Sequence, residues 1–251
     1  MLIRTLFLLC LLTVLVAPME SQAIVNGEPD TVYECVGSLH DLYGSGLVCS
    51  GTLILESWVL TAAHCAALGP EVFAMGSDFA DSPRIYVVDH VVVHPSYDGQ
   101  MMYDFALMHL AWPAVGEPVC SPLTQPEDDI GGGSMVIHVG YGLTWYPDGA
   151  TTQRHRTFNT VDTVDAVGFF TLSSVSGPCI GDTGGPALRS NDGRVAGVIS
   201  ATDTTCSEWA YDGRVSLVVS TWMVPTVVNF SGIFFDGFEL ATTGMWSEVV
   251  P

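Results

Sequence analysis

Four short stretches of the sequence carry side chains that can do chemistry. A histidine stands in Thr61-Ala62-Ala63-His64-Cys65, an aspartate in Asp104-Phe105-Ala106-Leu107 and a threonine in Cys179-Ile180-Gly181-Asp182-Thr183-Gly184-Gly185-Pro186, while Ile24-Val25-Asn26-Gly27 precedes all three. A histidine, a carboxylate and a hydroxyl are the residue types that nucleophilic acyl transfer combines. A histidine considered alone is more often a satisfied core residue. Only the joint order and spacing of the four stretches therefore give the pattern weight.

In this order the four stretches resemble the chymotrypsin/trypsin-like serine peptidase family, over nearly all of residues 24–229. Smaller markers agree: His94-Pro95-Ser96-Tyr97 lies before the aspartate, Gly140-Tyr141-Gly142 follows it, and Ser200 lies ahead of Cys206. The resemblance implies an all-β fold of two antiparallel Greek-key β-barrels with a short C-terminal helix. It also implies endopeptidase activity on a protein or peptide substrate.

The resemblance implies a role for each matched position. His64 would be the general base that takes the proton from the nucleophile and returns it to the leaving amine. Asp104 would hold the imidazole in the useful tautomer, and Ser200 would support that carboxylate from a neighbouring strand. The backbone N–H groups of Gly181 and Thr183 would form the oxyanion hole, which faces the charge that develops in the transition state.

The amino-terminal stretch carries a further implication of the resemblance. In the family, a newly exposed isoleucine amine enters the protein and pairs with the aspartate before the nucleophile; the matching groups are Ile24 and Asp182. Ala23 stands where activation sites usually have a basic residue, and it also ends a predicted export signal. We therefore hypothesise that signal cleavage between Ala23 and Ile24 itself creates the activating terminus.

The nucleophile position departs from the family, because Thr183 stands where the family has serine. Threonine keeps the hydroxyl but adds a methyl group and stiffens χ1. An added methyl in a tight site costs about 1–3 kcal/mol, or roughly ten- to hundred-fold in rate. Two alternatives stay open: an endopeptidase with Thr183 as nucleophile, or a catalytically impaired homologue that binds a protein partner. The retained His64, Asp104, Gly181 and Asp182 favour the enzyme.

Three positions would line the specificity pocket if the resemblance holds. Gly177, six residues before Thr183, replaces the aspartate of trypsin-like enzymes, so cleavage after arginine or lysine is not expected. Thr202, two residues after Ser200, would narrow the pocket, and Gly213 opposite would leave some room. We expect a small or medium uncharged side chain at the cleaved position.

Acidic residues near these positions have simple interpretations. Asp203 and Glu208 could favour a basic substrate, but they are more simply solvated loop carboxylates. Asp78 and Asp81 lie in a loop that binds calcium in some family members. Two acids on an acidic protein are weak evidence for such a site, and we predict no metal and no other cofactor.

The cysteines and the N-terminus point to an exported protein. Residues 1–23 combine Arg4, a short apolar run and the cleavage site Ser21-Gln22-Ala23, which predicts a signal peptide rather than a membrane span. Its removal leaves six cysteines, an even number typical of disulfides. The resemblance implies the pairs Cys49–Cys65 and Cys179–Cys206. Cys35 and Cys120 remain as the third pair, which spacing alone cannot establish.

The elements that must position these residues are short strands. The runs that predict strands are Gly46–Leu55, Arg84–Val93, Phe105–Leu110, Met135–Gly140, Arg194–Ser200 and Arg214–Val219. Helical patterning is weak, apart from one turn at Ala62–Ala66 and a helix at Ser220–Asn229. We therefore place a peptidase domain at 24–230, with barrels at about 24–118 and 119–219 and a closing helix at about 220–229, followed by a tail at 231–251.

Composition excludes several classes of function. The 251 residues carry 27 acidic and 7 basic groups, for a formal net charge of −20, and all seven basic residues are arginines. Such a chain cannot build the basic patch that nucleic-acid binding needs, and without lysine it has no Walker-type loop and no Schiff base. We expect a secreted monomer with no membrane span once the signal is removed.

The tail leaves two interpretations open. Its run Phe234-Phe235-Asp236-Gly237-Phe238 resembles short terminal segments of exported bacterial proteins, which would make it a sorting or attachment signal and allow a periplasmic or surface location. It is equally well explained as a strand or flap that packs its phenylalanines on the domain.

Overall fold

A computed structural model describes residues 24–42, 46–81, 83–144 and 149–234 of the chain, with residues 231–234 described by their backbone alone. The predicted signal segment 1–23 lies outside the described residues, and so does the tail beyond residue 234. Most of the regular secondary structure consists of antiparallel strands.

The first half of the chain forms a closed six-stranded barrel with strand order β2-β3-β4-β7-β6-β5. The strands are β2 (Val36–His40), β3 (Leu47–Leu55), β4 (Trp58–Thr61), β5 (Val72–Met75), β6 (Arg84–Val93) and β7 (Ala106–Leu110), and a one-turn helix α1 (Ala63–Ala67) follows β4. Short β-branched and leucine-rich runs fill the interior. Burial of these apolar side chains drives closure of the barrel.

The second half forms a second closed barrel. Its sheet has the order β9-β10-β13-β12-β11-β8 and closes through the pairing of β8 with β9. The strands are β8 (Met135–Gly140), β9 (His155–Val164), β10 (Gly168–Leu172), β11 (Pro186–Arg189), β12 (Val195–Thr202) and β13 (Trp209–Arg214). The short strand β1 (Glu28–Pro29) pairs with β9, so the N-terminal segment is fastened to the second barrel. The predicted fold of two antiparallel barrels is confirmed.

The last described residues form helical structure, and one strand predicted there is wrong. Residues 214–219 were expected to form a strand, but the backbone makes a 3₁₀ turn at Val215–Leu217, a π-helical turn at Val219–Met223 and the helix α2 at Val224–Phe234. The valines at 215, 218 and 219 are all buried. Their spacing of three and four residues is that of one helix face, so tertiary burial outweighs the β-propensity of valine. None of the helices among the described residues is long and apolar enough to cross a membrane.

Candidate active site

Three side chains from the two barrels form one hydrogen-bonded chain. His64 lies in α1, and its Nδ1 is 2.7 Å from Asp104 Oδ2, while its backbone N–H donates to Asp104 Oδ1 at 2.9 Å. Ser200, in β12 of the second barrel, donates from its hydroxyl to Asp104 Oδ2 at 2.6 Å. The carboxylate is fully buried, whereas the His64 side chain is 32% exposed. Because the carboxylate accepts from Nδ1–H, it orients the ring so that Nε2 can act as a base.

Thr183 lies beside this chain but is not hydrogen-bonded to it. Its Oγ1 is 3.5 Å from Cys49 Sγ and 3.8 Å from Cys65 Sγ. Cys65 Sγ is in turn 3.4 Å from His64 Nε2. Hydroxyl and imidazole therefore touch the same sulfur and are close neighbours. Within the described part of the chain, however, no hydrogen bond joins Thr183 Oγ1 to His64 Nε2, and the hydroxyl rests against the disulfide.

The loop that carries Thr183 is held in a shape that only glycine permits at residue 181. Gly181 has a φ of +94°, and a Cβ there would lie 2.9 Å from Gly142 Cα. The hydroxyl of Ser50 donates to the Gly181 carbonyl at 2.9 Å, which fixes the orientation of that peptide. Among the described residues, the backbone N–H groups of Gly181 and Thr183 have no acceptor. Both are thus available to an oxygen of a bound substrate.

Asp182 points the other way, into the second barrel, and is completely buried. Its oxygens accept from the N–H of Gly142 at 2.8 Å and of Cys179 at 2.9 Å, and the backbone N–H of the fully buried Ile24 is a third donor. Burial raises the pKa of Asp182 to about 7, although these donors and the nearby His138 oppose the rise. The structure therefore brings Ile24 and Asp182 together, as the sequence suggested.

The three predicted pocket positions are placed differently from one another. Gly177 packs on Ser173, whose Oγ would lie 2.3 Å from an added Cβ. Thr202 at the end of β12 pairs across the sheet with Ala210. Gly213 does not lie opposite Thr202: it pairs with Val198, and a Cβ there would meet the Phe105 ring at 2.8 Å. A bulge in β12 between Ile199 and Ala201 shifts the register, so the position across from Thr202 belongs to Ala210.

The acidic residues near these positions are engaged locally. The Asp203 carboxylate accepts hydrogen bonds from the backbone N–H groups of Thr205, Ser207, Glu208 and Trp209. These donors outweigh desolvation and hold its pKa well below the ordinary value. The Asp203 carboxylate therefore accepts hydrogen bonds from its own loop and is not directed at a substrate.

All three expected disulfides are present: Cys35–Cys120, Cys49–Cys65 and Cys179–Cys206. Cys49–Cys65 joins β3 to the turn that holds His64, and Cys179–Cys206 joins the Thr183 loop to the segment after β12. The sulfurs of Cys49 and Cys65 lie with a His64 ring nitrogen within 4.8 Å of one another. That grouping has the residue types of a metal site, but both sulfurs are consumed by the disulfide and offer no thiolate.

Sequence reasoning missed a buried polar cluster behind the Thr183 loop. His138 belongs to none of the motifs of the sequence, but its ring bridges Asn159 and Asp212, and all three side chains are buried. A signal was present in the sequence. His138 occupies an inward-facing position of Met135–Gly140, a strand whose last five residues are all buried, where an apolar residue is the ordinary choice.

Comparisons with known proteins agree with the geometry. Residues 24–221 match the family model described as Trypsin. The chain is 30% identical over 200 residues to trypsin 5G1 of Aedes aegypti, covering 70% of this chain and 73% of that protein. It is also 30% identical over 209 residues to serine protease SP24D of Anopheles gambiae, covering 75% of each. A solved structure of human heparin binding protein superposes with a TM-score of 0.72 at 19% identity, covering 87% of this chain and all of that one.

Proposed function

Since the chain belongs to the trypsin family of serine peptidases, we propose that it is a secreted endopeptidase that hydrolyses peptide bonds through an acyl-enzyme on Thr183. The observation that carries this proposal is the hydrogen-bonded chain of His64, Asp104 and Ser200 beside a loop with two free N–H groups. A protein that only binds a partner would not need a buried carboxylate hydrogen-bonded to Nδ1 of a partly exposed imidazole.

The proposed acylation uses each of these groups. Thr183 Oγ1 attacks the carbonyl carbon of the substrate while His64 Nε2 takes the hydroxyl proton. The carbonyl oxygen becomes an oxyanion, which the N–H groups of Gly181 and Thr183 stabilise. Collapse of this intermediate breaks the C–N bond, and the imidazolium of His64 gives its proton to the leaving amine. The acyl group is then an ester of Thr183.

Deacylation repeats the same steps with water. His64 Nε2 removes a proton from a water molecule as the water attacks the ester carbonyl, and the same two N–H groups hold the second oxyanion. The C–O bond to Thr183 breaks, and the proton on His64 returns to Oγ1. The products are one amine and one carboxylic acid, and the site returns to its starting state.

The orientation of Thr183 favours slow chemistry and gives the second candidate its support. To reach His64 Nε2 the hydroxyl must rotate about χ1, away from Cys49 Sγ at 3.5 Å, and a β-branched side chain has fewer favourable rotamers than serine. A protein in which this rotation is blocked would be the catalytically impaired homologue, which acts by binding a protein partner in the same cleft.

A fluorophosphonate probe separates the two candidates. An activated hydroxyl reacts with the probe, so we expect labelling of the secreted protein at Thr183 and none of Thr183→Ala. His64→Ala provides the matched control, since it keeps the hydroxyl but removes the base. If the native protein remains unlabelled while Thr183→Ser is labelled, the binding protein is the better description.

For the substrate, we infer a small or medium uncharged residue at the cleaved position. Gly177 provides no carboxylate for a basic side chain, and Thr202, whose cross-strand partner is Ala210, adds a side chain that would narrow the pocket. Cleavage of a mixed peptide library, read by mass spectrometry, tests this inference. A dominant preference for arginine or lysine would contradict it.

We also infer that export activates the protein. Ile24 is fully buried next to Asp182, and the three disulfides suit an oxidising compartment. Cleavage after Ala23 would give Ile24 an amine whose positive charge Asp182 can neutralise. N-terminal sequencing of the secreted protein should therefore begin at Ile24, and any other start would rule out this route.

A further inference from the structure

The buried cluster of His138, Asn159 and Asp212 has no part in the chemistry described above, yet it lies directly behind the Thr183 loop. His138 is in β8, Asn159 in β9 and Asp212 in β13, and they come together inside the second barrel with exposures of 0%, 5% and 0%. Buried ionisable groups are costly unless paired. We therefore ask what this cluster contributes to the site.

Hydrogen bonding determines how many protons the cluster holds. The amide nitrogen of Asn159 donates to the carbonyls of Leu172 and Ser176, both at 2.7 Å. Since both partners are carbonyls, that atom must be the nitrogen, and the amide oxygen faces His138 Nδ1 at 2.8 Å. Nδ1 must therefore carry a proton. The tautomer follows from the partners of Asn159 alone.

The other ring nitrogen needs a proton as well. His138 Nε2 is 3.1 Å from both oxygens of Asp212. A bare nitrogen lone pair facing a carboxylate would be repelled, so a proton lies between them. Burial lowers the pKa of His138, but the charge and hydrogen bonding of Asp212, with smaller contributions from Asn159 and Asp182, outweigh it and leave the pKa raised.

The same ring faces the carboxylate next to the nucleophile. His138 and Gly140 project from the same face of β8, two residues apart. A Cβ on Gly140 would lie 2.3 Å from Asp182 Oδ1, so the Asp182 carboxylate occupies the space beside His138. Thr157 and Ala187, which pair with His138 on its two neighbouring strands, are uncharged. Among the described residues, Asp182 and Asp212 are the ionisable groups that face it.

The cluster is connected to both working parts of the site. Asp182 immediately precedes Thr183 and fixes the loop that bears the free N–H groups. Through Asn159, His138 also holds the carbonyls of Leu172 and Ser176, which bracket the turn leading to Gly177. Asp182 and the cluster together hold two carboxylates and one imidazolium, which leaves one negative charge in excess that an amine on Ile24 would neutralise.

We propose that His138 is a positioning residue of the peptidase site: a protonated imidazolium that anchors Asp212 and Asn159 beneath the segment Leu172–Gly177 and presents its positive charge to Asp182. The inference rests on the proposed function for its effect on catalysis, but the protons on the two sides of the His138 ring follow from its hydrogen-bond partners and need no activity.

The direct test is nuclear magnetic resonance of the secreted protein with ¹⁵N-labelled histidine. We expect both ring nitrogens of His138 to carry protons at pH 7 and to stay protonated through the range in which a free histidine loses its proton, about pH 6.5. A His138 ring with a single proton at pH 7 would overturn the proposal. This measurement needs neither a variant nor activity.

The functional test uses Asp212→Asn, which keeps the shape but removes the charge. His138 should then lose a proton near neutral pH. Relative to the native protein at the same pH, the rate of probe labelling at Thr183 should fall by about ten- to hundred-fold at alkaline pH, and this ratio should recover at acid pH. Asp89→Asn is the matched control, because Asp89 makes a similar 2.7 Å pair with His109 on the outside of the first barrel. Equal pH profiles for the two variants would contradict a positioning role.

The two proposals fail in different ways. If the native protein is never labelled and cleaves no peptide, the endopeptidase proposal fails, and the pH profile is measured on the Thr183→Ser protein instead. If Asp212→Asn does not fold, the resonance measurement on the native protein decides whether His138 is an imidazolium. A doubly protonated His138 in an inactive protein would support the buried imidazolium and reject catalysis by Thr183.

Discussion

At the scale of single residues, the methyl group of Thr183 has the largest expected effect. It restricts χ1 at the atom that must approach His64, and the hydroxyl rests 3.5 Å from Cys49 Sγ. We expect Thr183→Ser to raise the rate of probe labelling by about ten- to hundred-fold, with a loss of stability of at most about 1 kcal/mol, since only one partly buried methyl group is removed. Stopped-flow labelling measures this, and a slower serine variant would show that the site is adapted to threonine.

Asp182 gives a pH dependence whose sign can be worked out. With Ala23 still attached, Ile24 contributes an amide rather than an amine, and burial raises the pKa of Asp182 to about 7. Between roughly pH 4 and 7 the folded protein then binds a proton that the unfolded chain has released. The stabilisation that this proton provides is present in full below about pH 4 and is lost as the pH rises through 7.

The comparison with Asp182→Asn isolates that contribution. In the form that still carries Ala23, the wild type should lose stability relative to the variant by up to a few kcal/mol between pH 4 and pH 8. Urea unfolding measures this difference in the free energy of unfolding. In the form that begins at Ile24, the free amine lowers the pKa of Asp182 and the trend should reverse. The same trend in both forms would show that the N-terminal amine does not affect the pKa of Asp182.

At the scale of elements, β8 (Met135–Gly140) has to leave room for the Thr183 loop. A Cβ on Gly140 would sit 2.3 Å from Asp182 Oδ1 and 3.1 Å from Asp182 Cα. We expect Gly140→Ala to push the loop away, at a cost of about 1–3 kcal/mol of stability and a loss of labelling. Gly131→Ala is the matched control, because nothing lies within 4 Å of its Cβ position and its φ is not positive; it should change stability by less than about 0.5 kcal/mol. Equal effects of the two would contradict this packing.

The elements also explain what could be predicted from the sequence. β6 and β8 were predicted with the bounds that the structure gives them, because their apolar runs are long or end at clear turns. β9 was missed because its inner face is polar: Asn159 is buried while its neighbour Phe158 is 48% exposed. This inverts the alternation on which a strand prediction depends.

The polar interior of the second barrel likewise explains what was missed in the site. Motif order identified His64, Asp104 and the Thr183 loop, since their residue types follow from chemistry that is independent of the local fold. His138 and Asp212 belong to no motif, and 74 residues separate them in the chain. Only the closure of β8 and β13 into one barrel brings them together. Similarly, Ala210 rather than Gly213 lies opposite Thr202 because of a bulge in β12, which the sequence does not reveal.

At the scale of the whole molecule, one buried arginine connects the N-terminal segment with both barrels. Arg154, just before β9, is 1% exposed, and its Nε donates to Asp30 Oδ2 at 2.7 Å. Its Nη1 donates to the carbonyl of Val36 in β2 at 3.1 Å. Asp30 is itself buried and directly follows β1, so the ion pair holds the segment that leads back to Ile24.

Loss of this arginine should therefore affect the molecule as a whole. Arg154→Met leaves the buried Asp30 carboxylate with only the longer, 3.8 Å ion pair to Arg156 Nη1, and we expect a loss of about 3–5 kcal/mol in the free energy of unfolding, measured by denaturant titration. Adding Asp30→Asn should recover part of the loss, because the uncompensated charge is removed. Glu28→Gln, which disturbs only the exposed pair with Arg156, should cost no more than about 1 kcal/mol. If Arg154→Met were as mild as Glu28→Gln, the two barrels would be held together without this ion pair, and the position of Ile24 would not depend on it.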